Sequence, residues 1–225
     1  MEYRHEMKFL VSEGELEILH YRLLPVMKKD MHQKGNSYLI RSMYFDDIND
    51  SCKKENEDGV DNRRKFRIRL YDGRIDVLHL EKKEKCRGMT RKNSADIARY
   101  DCEKYMSGEI PGYRSDMTEI EKELYSEAMA CRMMPKCIVE YERSAYIDPR
   151  GNVRITFDRN IAGCEKVNSF FNEKIYKIPV LPKGQHILEV KYDEFLPEYL
   201  AELLEIGSLQ QTSFSKYYYV REALN

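Results

Sequence analysis

Between Arg63 and Tyr71 the chain reads RRKFRIRLY, and a cation falls at every second position. Arg63, Lys65, Arg67 and Arg69 share one face with Tyr71, while Phe66, Ile68 and Leu70 share the other. That is the period-two alternation of a half-buried β-strand. Like charges lined up on one sheet face repel, so the row calls for counter-charge. Arginine donates two parallel hydrogen bonds to a phosphate, and a polyanion is the ligand this spacing suits.

The same face-counting extends the pattern to other strand-like stretches. YRHEMKFLV (3–11) sets Arg4, Glu6 and Lys8 against Tyr3, His5, Met7, Phe9 and Val11. DVLHLEKKE (76–84) gathers His79, Glu81 and Lys83, and CIVEYERSAYI (137–147) puts Tyr141 and Arg143 opposite Glu140 and Glu142. NVRITFD (152–158) gathers Arg154, Thr156 and Asp158, and HILEVKY (186–192) gathers Glu189 and Lys191. With Lys92 and Lys216 added and Arg63 at the strand's start left out, eleven cations stand against the four carboxylates Glu6, Glu81, Asp158 and Glu189. This local excess of seven occurs in a chain of net charge −1. One strand of this kind is most simply the solvated face of an open sheet. Six strands that repeat it point instead to a closed barrel, which removes sheet edges and brings the cations around one polyanion.

The elements that must position these residues follow from pattern and punctuation. Ser12 with Glu15 forms a capping box for a helix carrying Leu16, Leu19, Leu23 and Leu24 and ending near Pro25. Residues 37–46 read as a strand, 47–62 as a short helix and a turn at Gly59, and 63–71 as the strand described above. A tight Asp72-Gly73 turn makes 63–71 and 76–84 a hairpin. Residues 86–92 are a connection through Gly88, followed by helices at 95–106 and 116–131. Residues 137–147 and 152–158 form a second hairpin, 160–185 are irregular, and 186–192 is the last strand. Helices at 195–205 and 216–224 close the chain. This is an α+β layout with a mostly antiparallel sheet in a single domain spanning 1–225.

Composition excludes several classes. With 225 residues, 42% hydrophobic and 11% aromatic, the chain can bury a sizeable core. A near-neutral balance argues against a protein that coats nucleic acid. The six cysteines contain no CxxC pair and the five histidines (His5, His20, His32, His79, His186) no ligand spacing, which disfavours zinc. No apolar run approaches the roughly 20 residues a bilayer span needs. MEYRHEMK is not a leader, so a cytoplasmic protein with reduced cysteines is expected. Tyr217, Tyr218 and Tyr219 read as packing, and LPEYLAELL (196–204) as an amphipathic cover.

In order, RHEMKF, IRSMYFDD, RRKFRIRLY, LEKKEK, EYERSAY, VRITFD, ILEVKYDEFLPEYL and SFSKY resemble the VTC domain. This is the polyphosphate polymerase domain of the vacuolar transporter chaperone family, in the triphosphate tunnel metalloenzyme (CYTH-like) superfamily. The resemblance implies a closed antiparallel eight-stranded β-barrel tunnel with helices packed outside. It also implies transfer of the γ-phosphate of ATP, or of another triphosphate, onto orthophosphate or polyphosphate with Mn²⁺ or Mg²⁺. The family's phosphate-binding positions correspond to Lys8, Arg67, Arg69, Lys83, Lys92, Arg143, Arg154 and Lys216. Its tunnel tyrosine corresponds to Tyr141 and its metal-binding glutamate to Glu189, with Glu6 as a second carboxylate. Lys191 is expected to bind phosphate with these basic residues, and Arg4, Lys65, Glu81 and Asp158 are expected to face the same tunnel. Related tunnel hydrolases begin ExExK, and Arg4 occupies the first acidic position here. The second lysine that some polymerases carry before SKY is Ser213. Phosphoryl transfer needs positioning and charge neutralisation more than a covalent nucleophile. With water as acceptor the same site is an inorganic triphosphatase or nucleotide phosphohydrolase, and without turnover it is a polyphosphate-binding module.

Overall fold

Alternating strands dominate the chain, and pairing them leaves one apolar surface for the helices to cover. The computed structural model describes all residues except 1, 2, 32, 34 and 208, so His32 lies outside the described residues. The elements of the first half are β1 (His5–Ser12), α1 (Glu13–Leu23), β2 (Lys28–Lys29), β3 (Tyr38–Asp46), α2 (Ser51–Glu57), β4 (Arg63–Tyr71), β5 (His79–Cys86), β6 (Met89–Asp96) and α3 (Arg99–Met106). Then come α4 (Glu119–Cys131), β7 (Met134–Asp148), β8 (Val153–Cys164), β9 (Ile178–Pro179), β10 (Gln185–Tyr192), α5 (Glu198–Leu204), β11 (Gln210–Gln211) and α6 (Lys216–Leu224).

The main path of the sheet runs β11-β1-β10-β8-β7-β3-β4-β5-β6, with β2 added to β7 and β9 to β8. Every strand pairing is antiparallel. The sheet curls strongly. β1 and β5 lie six steps apart along this path, yet Lys83 of β5 reaches Glu6 of β1 at 2.7 Å. At the two edges Arg4 and Thr90 exchange backbone hydrogen bonds of 2.8 and 2.9 Å.

The outer face is apolar and covered. Leu16, Leu19 and Leu23 of α1 and Leu200 and Leu204 of α5 bury against Ile155, Phe157, Leu188 and Val190. The Ser12–Glu15 capping box that starts α1 is present. Phe66, Ile68, Leu70 and Leu80 pack with Cys102, Tyr105, Ile120 and Leu124 of α3 and α4. Helix α6 lies so close to β8 that a Cβ on Gly163 would sit 2.3 Å from Val220 Cγ1. No described helix is long and apolar enough to cross a membrane.

Several boundaries differ from the sequence reading. Residues 86–92 are not a simple connection. Arg87 and Gly88 make a two-residue turn at φ 50° and 76°, and Met89–Asp96 is a full strand paired with β5. MTRKNSAD hides this strand because it shows no apolar alternation, and the next helix starts at Arg99 rather than 95. Asp72 and Gly73 do turn the chain at φ 50° and 70°, but the turn is not tight, since pairing resumes with His79 opposite Arg69. β7 and β8 are longer than expected because they stay paired as far as Ile138 and Cys164, across a register shift between Glu140 and Glu142. β1 starts at His5 rather than 3. Finally, β4 is not half-buried. Its cationic face is partly enclosed too, with Arg69 only 4% exposed and Arg63, Lys65 and Arg67 partly buried.

Candidate functional site

Three groups of ion pairs line the concave face. The first is built on the β4–β5 register, which sets Arg67 directly opposite Glu81. Glu81 is 1% exposed and accepts from Arg67 Nε at 2.7 Å and Lys92 Nζ at 2.9 Å, with Arg69 Nη1 at 3.4 Å. Arg67 also donates to the Tyr44 hydroxyl at 2.7 Å, and Arg69 to Ser42 Oγ at 3.0 Å and Tyr141 Oη at 3.2 Å.

The second group gathers around Glu6 and Glu189. Glu6 meets Lys83 at 2.7 Å, Lys8 at 3.1 Å and Lys191 at 3.3 Å. Glu189 meets Lys191 at 2.7 Å and Arg143 at 3.8 Å. The third is centred on Asp158, which binds Arg143 through both oxygens at 2.6 and 2.7 Å and Lys216 Nζ at 2.6 Å. The ring of Tyr141 lies under Lys216 and Arg143, 4.9 and 5.3 Å from its centroid.

The remaining expected residues stand further out. Arg154 is drawn to Asp30 at 2.7 Å and to the Tyr38 hydroxyl at 3.2 Å. Arg4 is held at the sheet edges by Asp193 at 2.5 Å and by the carbonyl of Asn152. Lys65 points toward α2 and α6, donating to Asn56 Oδ1 and Ser215 Oγ at 3.2 Å each. His79 hydrogen-bonds Asp96 at 2.9 Å and packs edge-on against Tyr71.

Asp30 and Asp193 were not among the residues that the strand pattern gathers. Counting them, the excess positive charge of the face is five, not seven. Asp30 sits in a segment with no periodic signal, and Asp193 lies just past the end of β10. Tyr38, Ser42 and Tyr44 also line this face. These three side chains carry no charge, so counting charges along SYLIRSMYFD passes over them.

Burial raises the Glu81 carboxyl, but Arg69, Arg67 and Lys92 outweigh it and hold the group well below the usual range. The same contest holds Glu189 well below, through Lys191, Lys216, Arg143 and Lys8. Glu6 follows through Lys8, Lys83 and Lys191, although the charge of Glu189 works against it. Burial wins for two lysines. It pushes Lys83 down to about 7 against the pull of Glu6, and Lys65 down to about 8. Burial would raise the Tyr44 phenol, yet Arg67 and Arg69 bring it below its ordinary value.

Among the described residues no group of three or more His, Cys, Asp or Glu side chains could hold a metal by itself. Glu6 and Glu189 nevertheless fit a hard cation shared with a ligand. Magnesium-type ions take one or two carboxylates and complete their shell with water and phosphate oxygens. Beside Glu189, the buried hydroxyl of Thr156, its register partner, has no hydrogen-bond partner among the described residues.

The fold is a curled antiparallel sheet with paired cations and carboxylates on its concave face. The chain belongs to the VTC domain family, whose family model matches residues 3–225. Among solved structures it is similar to a candidate adenylate cyclase from Bacillus halodurans, with TM-score 0.54 and 14% identity over 90% of this chain and 86% of that one. It is also similar to a candidate adenylate cyclase from Vibrio parahaemolyticus, with TM-score 0.52 and 10% identity over 98% of each chain. At such identities the likeness is one of fold. No curated protein matches the chain.

Proposed function

We propose that the protein is a polyphosphate polymerase-like phosphotransferase. It moves the γ-phosphate of ATP onto orthophosphate or the end of a polyphosphate chain. In this reading β1, β10, β8, β7, β3, β4, β5 and β6 close as one eight-stranded tunnel domain, with the Arg4–Thr90 bridge at the seam. The observation that carries the proposal is convergence. Arg67, Arg69, Lys83, Arg143, Lys191 and Lys216 come from four strands and one helix onto one interior.

The guanidinium groups of Arg67, Arg69 and Arg143 bind and orient the triphosphate, and Lys8, Lys83, Lys191 and Lys216 neutralise charge along the chain. Lys92, Arg154 and Lys65 extend that path toward its ends. Asp158 keeps Arg143 and Lys216 aimed at one place. Glu189 and Glu6 would hold Mn²⁺ or Mg²⁺, which neutralises charge on the transferred group. The acceptor is already ionised near neutral pH, so the site needs no general base. A cytosolic setting, where ATP is at hand, agrees with six unpaired cysteines.

One observation favours a non-catalytic polyphosphate-binding module instead. Both candidate metal carboxylates are already engaged by lysine or arginine. Incubation with ATP and Mn²⁺, with polyphosphate and free phosphate both measured, separates the readings. Chain growth supports the transferase, and polyphosphate binding without turnover supports the module.

A further inference from the structure

Two buried side-chain polar atoms lack a hydrogen-bond partner among the described residues, Thr156 Oγ1 and His186 Nδ1. The histidine lies on the outer side, and its other nitrogen meets Glu13 at 2.6 Å. Thr156 differs because its side chain has one polar atom and that atom is idle. The residue is 2% exposed. Its neighbours Ile155 and Phe157 belong to the outer apolar cluster, so Thr156 faces inward with Arg154 and Asp158. In register it lies between Glu189 of β10 and Ala145 of β7. On one side stands the Glu189–Lys191 pair, and on the other the Ala145 methyl, which offers the hydroxyl no hydrogen-bond partner.

A buried hydroxyl without a partner is disfavoured, while valine has nearly the same shape and no group to satisfy. Threonine at this position therefore lowers the stability of the empty protein. We propose that the Thr156 hydroxyl is a phosphate-binding group, donating a hydrogen bond to an oxygen of the polyanion held between Arg143 and Arg154. This rests on the polyanion reading above. As a neutral donor, Thr156 adds direction without charge. Its contribution is thus insensitive to salt, whereas that of the surrounding arginines is screened.

The test uses the full chain with sodium tripolyphosphate as probe. Titration calorimetry is run in EDTA and in Mn²⁺, each at low and high salt, beside melting of the ligand-free protein. Thr156→Val is expected to melt at the wild-type temperature or above it. It is expected to bind tripolyphosphate roughly tenfold more weakly, as for a lost hydrogen bond to a charged group, and by the same factor at both salt concentrations. Thr156→Ser is expected to bind like wild type. Wild-type affinity in Thr156→Val would overturn the proposal, as would a loss confined to Mn²⁺ or weak binding by Thr156→Ser. A wild-type protein that binds no tripolyphosphate in either medium would overturn the polyanion reading itself, and this inference with it.

Discussion

Glu81 lies directly across the β4–β5 pair from Arg67 and accepts its Nε hydrogen bond at 2.7 Å. The row of cations on β4 is therefore tolerated without a ligand, because one enclosed carboxylate serves Arg67, Arg69 and Lys92 together. Removing one partner of a buried ion pair is far more damaging than the net worth of the pair, since the others are left uncompensated. Glu81→Gln should cost about 3 kcal/mol. For a domain of this size that lowers the melting temperature by roughly 6–12 °C. Tripolyphosphate should restore part of the loss, and should raise the melting point of this variant more than that of wild type. Thermal melts with and without tripolyphosphate check both statements.

Glu189→Gln keeps the size of the side chain and removes its charge. It releases Lys191 and the more distant Arg143. Metal-dependent turnover should fall to background, while tripolyphosphate binding in EDTA stays at wild-type strength or tightens. Paired kinetic and calorimetric measurements decide this, and unchanged Mn²⁺-dependent activity would rule out Glu189 as a metal ligand.

Lys65 gives a pH dependence of defined sign. Burial holds it at about 8 in the folded protein, below the ordinary lysine value near 10.4. Below about pH 8 the charged form is carried at a cost. Above it the folded chain sheds a proton that the unfolded chain still binds, so this group makes stability rise with pH up to the ordinary value. A polyanion favours the charged form and reverses the effect, so binding at pH 8 should take up protons. Calorimetry in two buffers of different ionisation enthalpy measures the uptake, which should decrease in Lys65→Met. Lys83, held at about 7, adds in the same direction.

Helix α6 carries Lys216 to Asp158, and its seat on β8 depends on Gly163. Gly163→Ala would place a methyl against Val220 and should destabilise the fold by about 1–3 kcal/mol, as overpacking does. Adding Val220→Ala removes the clashing methyls and should recover most of the loss. Melting temperatures of wild type and the two variants test the seat, and non-recovery would locate the strain elsewhere.

Charge alternation made much of this site legible in the sequence. Lys65, Arg67 and Arg69 declared one face of β4, and Glu6, Asp158 and Glu189 declared theirs, because period two fixes which side chains share a face. Helix α6 was legible to the residue, since the expected 216–224 is the observed Lys216–Leu224, which the structure shows capped by Ser215. Strand β6 was not, because MTRKNSAD is polar on both faces and mostly part-exposed, so no apolar stripe marks it. Asp30 was silent for another reason. It meets Arg154 through tertiary folding, and no local spacing encodes that contact. Pattern located the cations, but how their charges are balanced emerged only from the fold.

The most direct test of the account follows the γ-phosphate. The protein is incubated with γ-labelled ATP and Mn²⁺, and the label is resolved into ATP, free phosphate and polyphosphate by chain length. The account predicts label in chains that lengthen with time, with no such product from Glu189→Gln. Label appearing solely as free phosphate, or remaining in ATP while polyphosphate binds tightly, would contradict it.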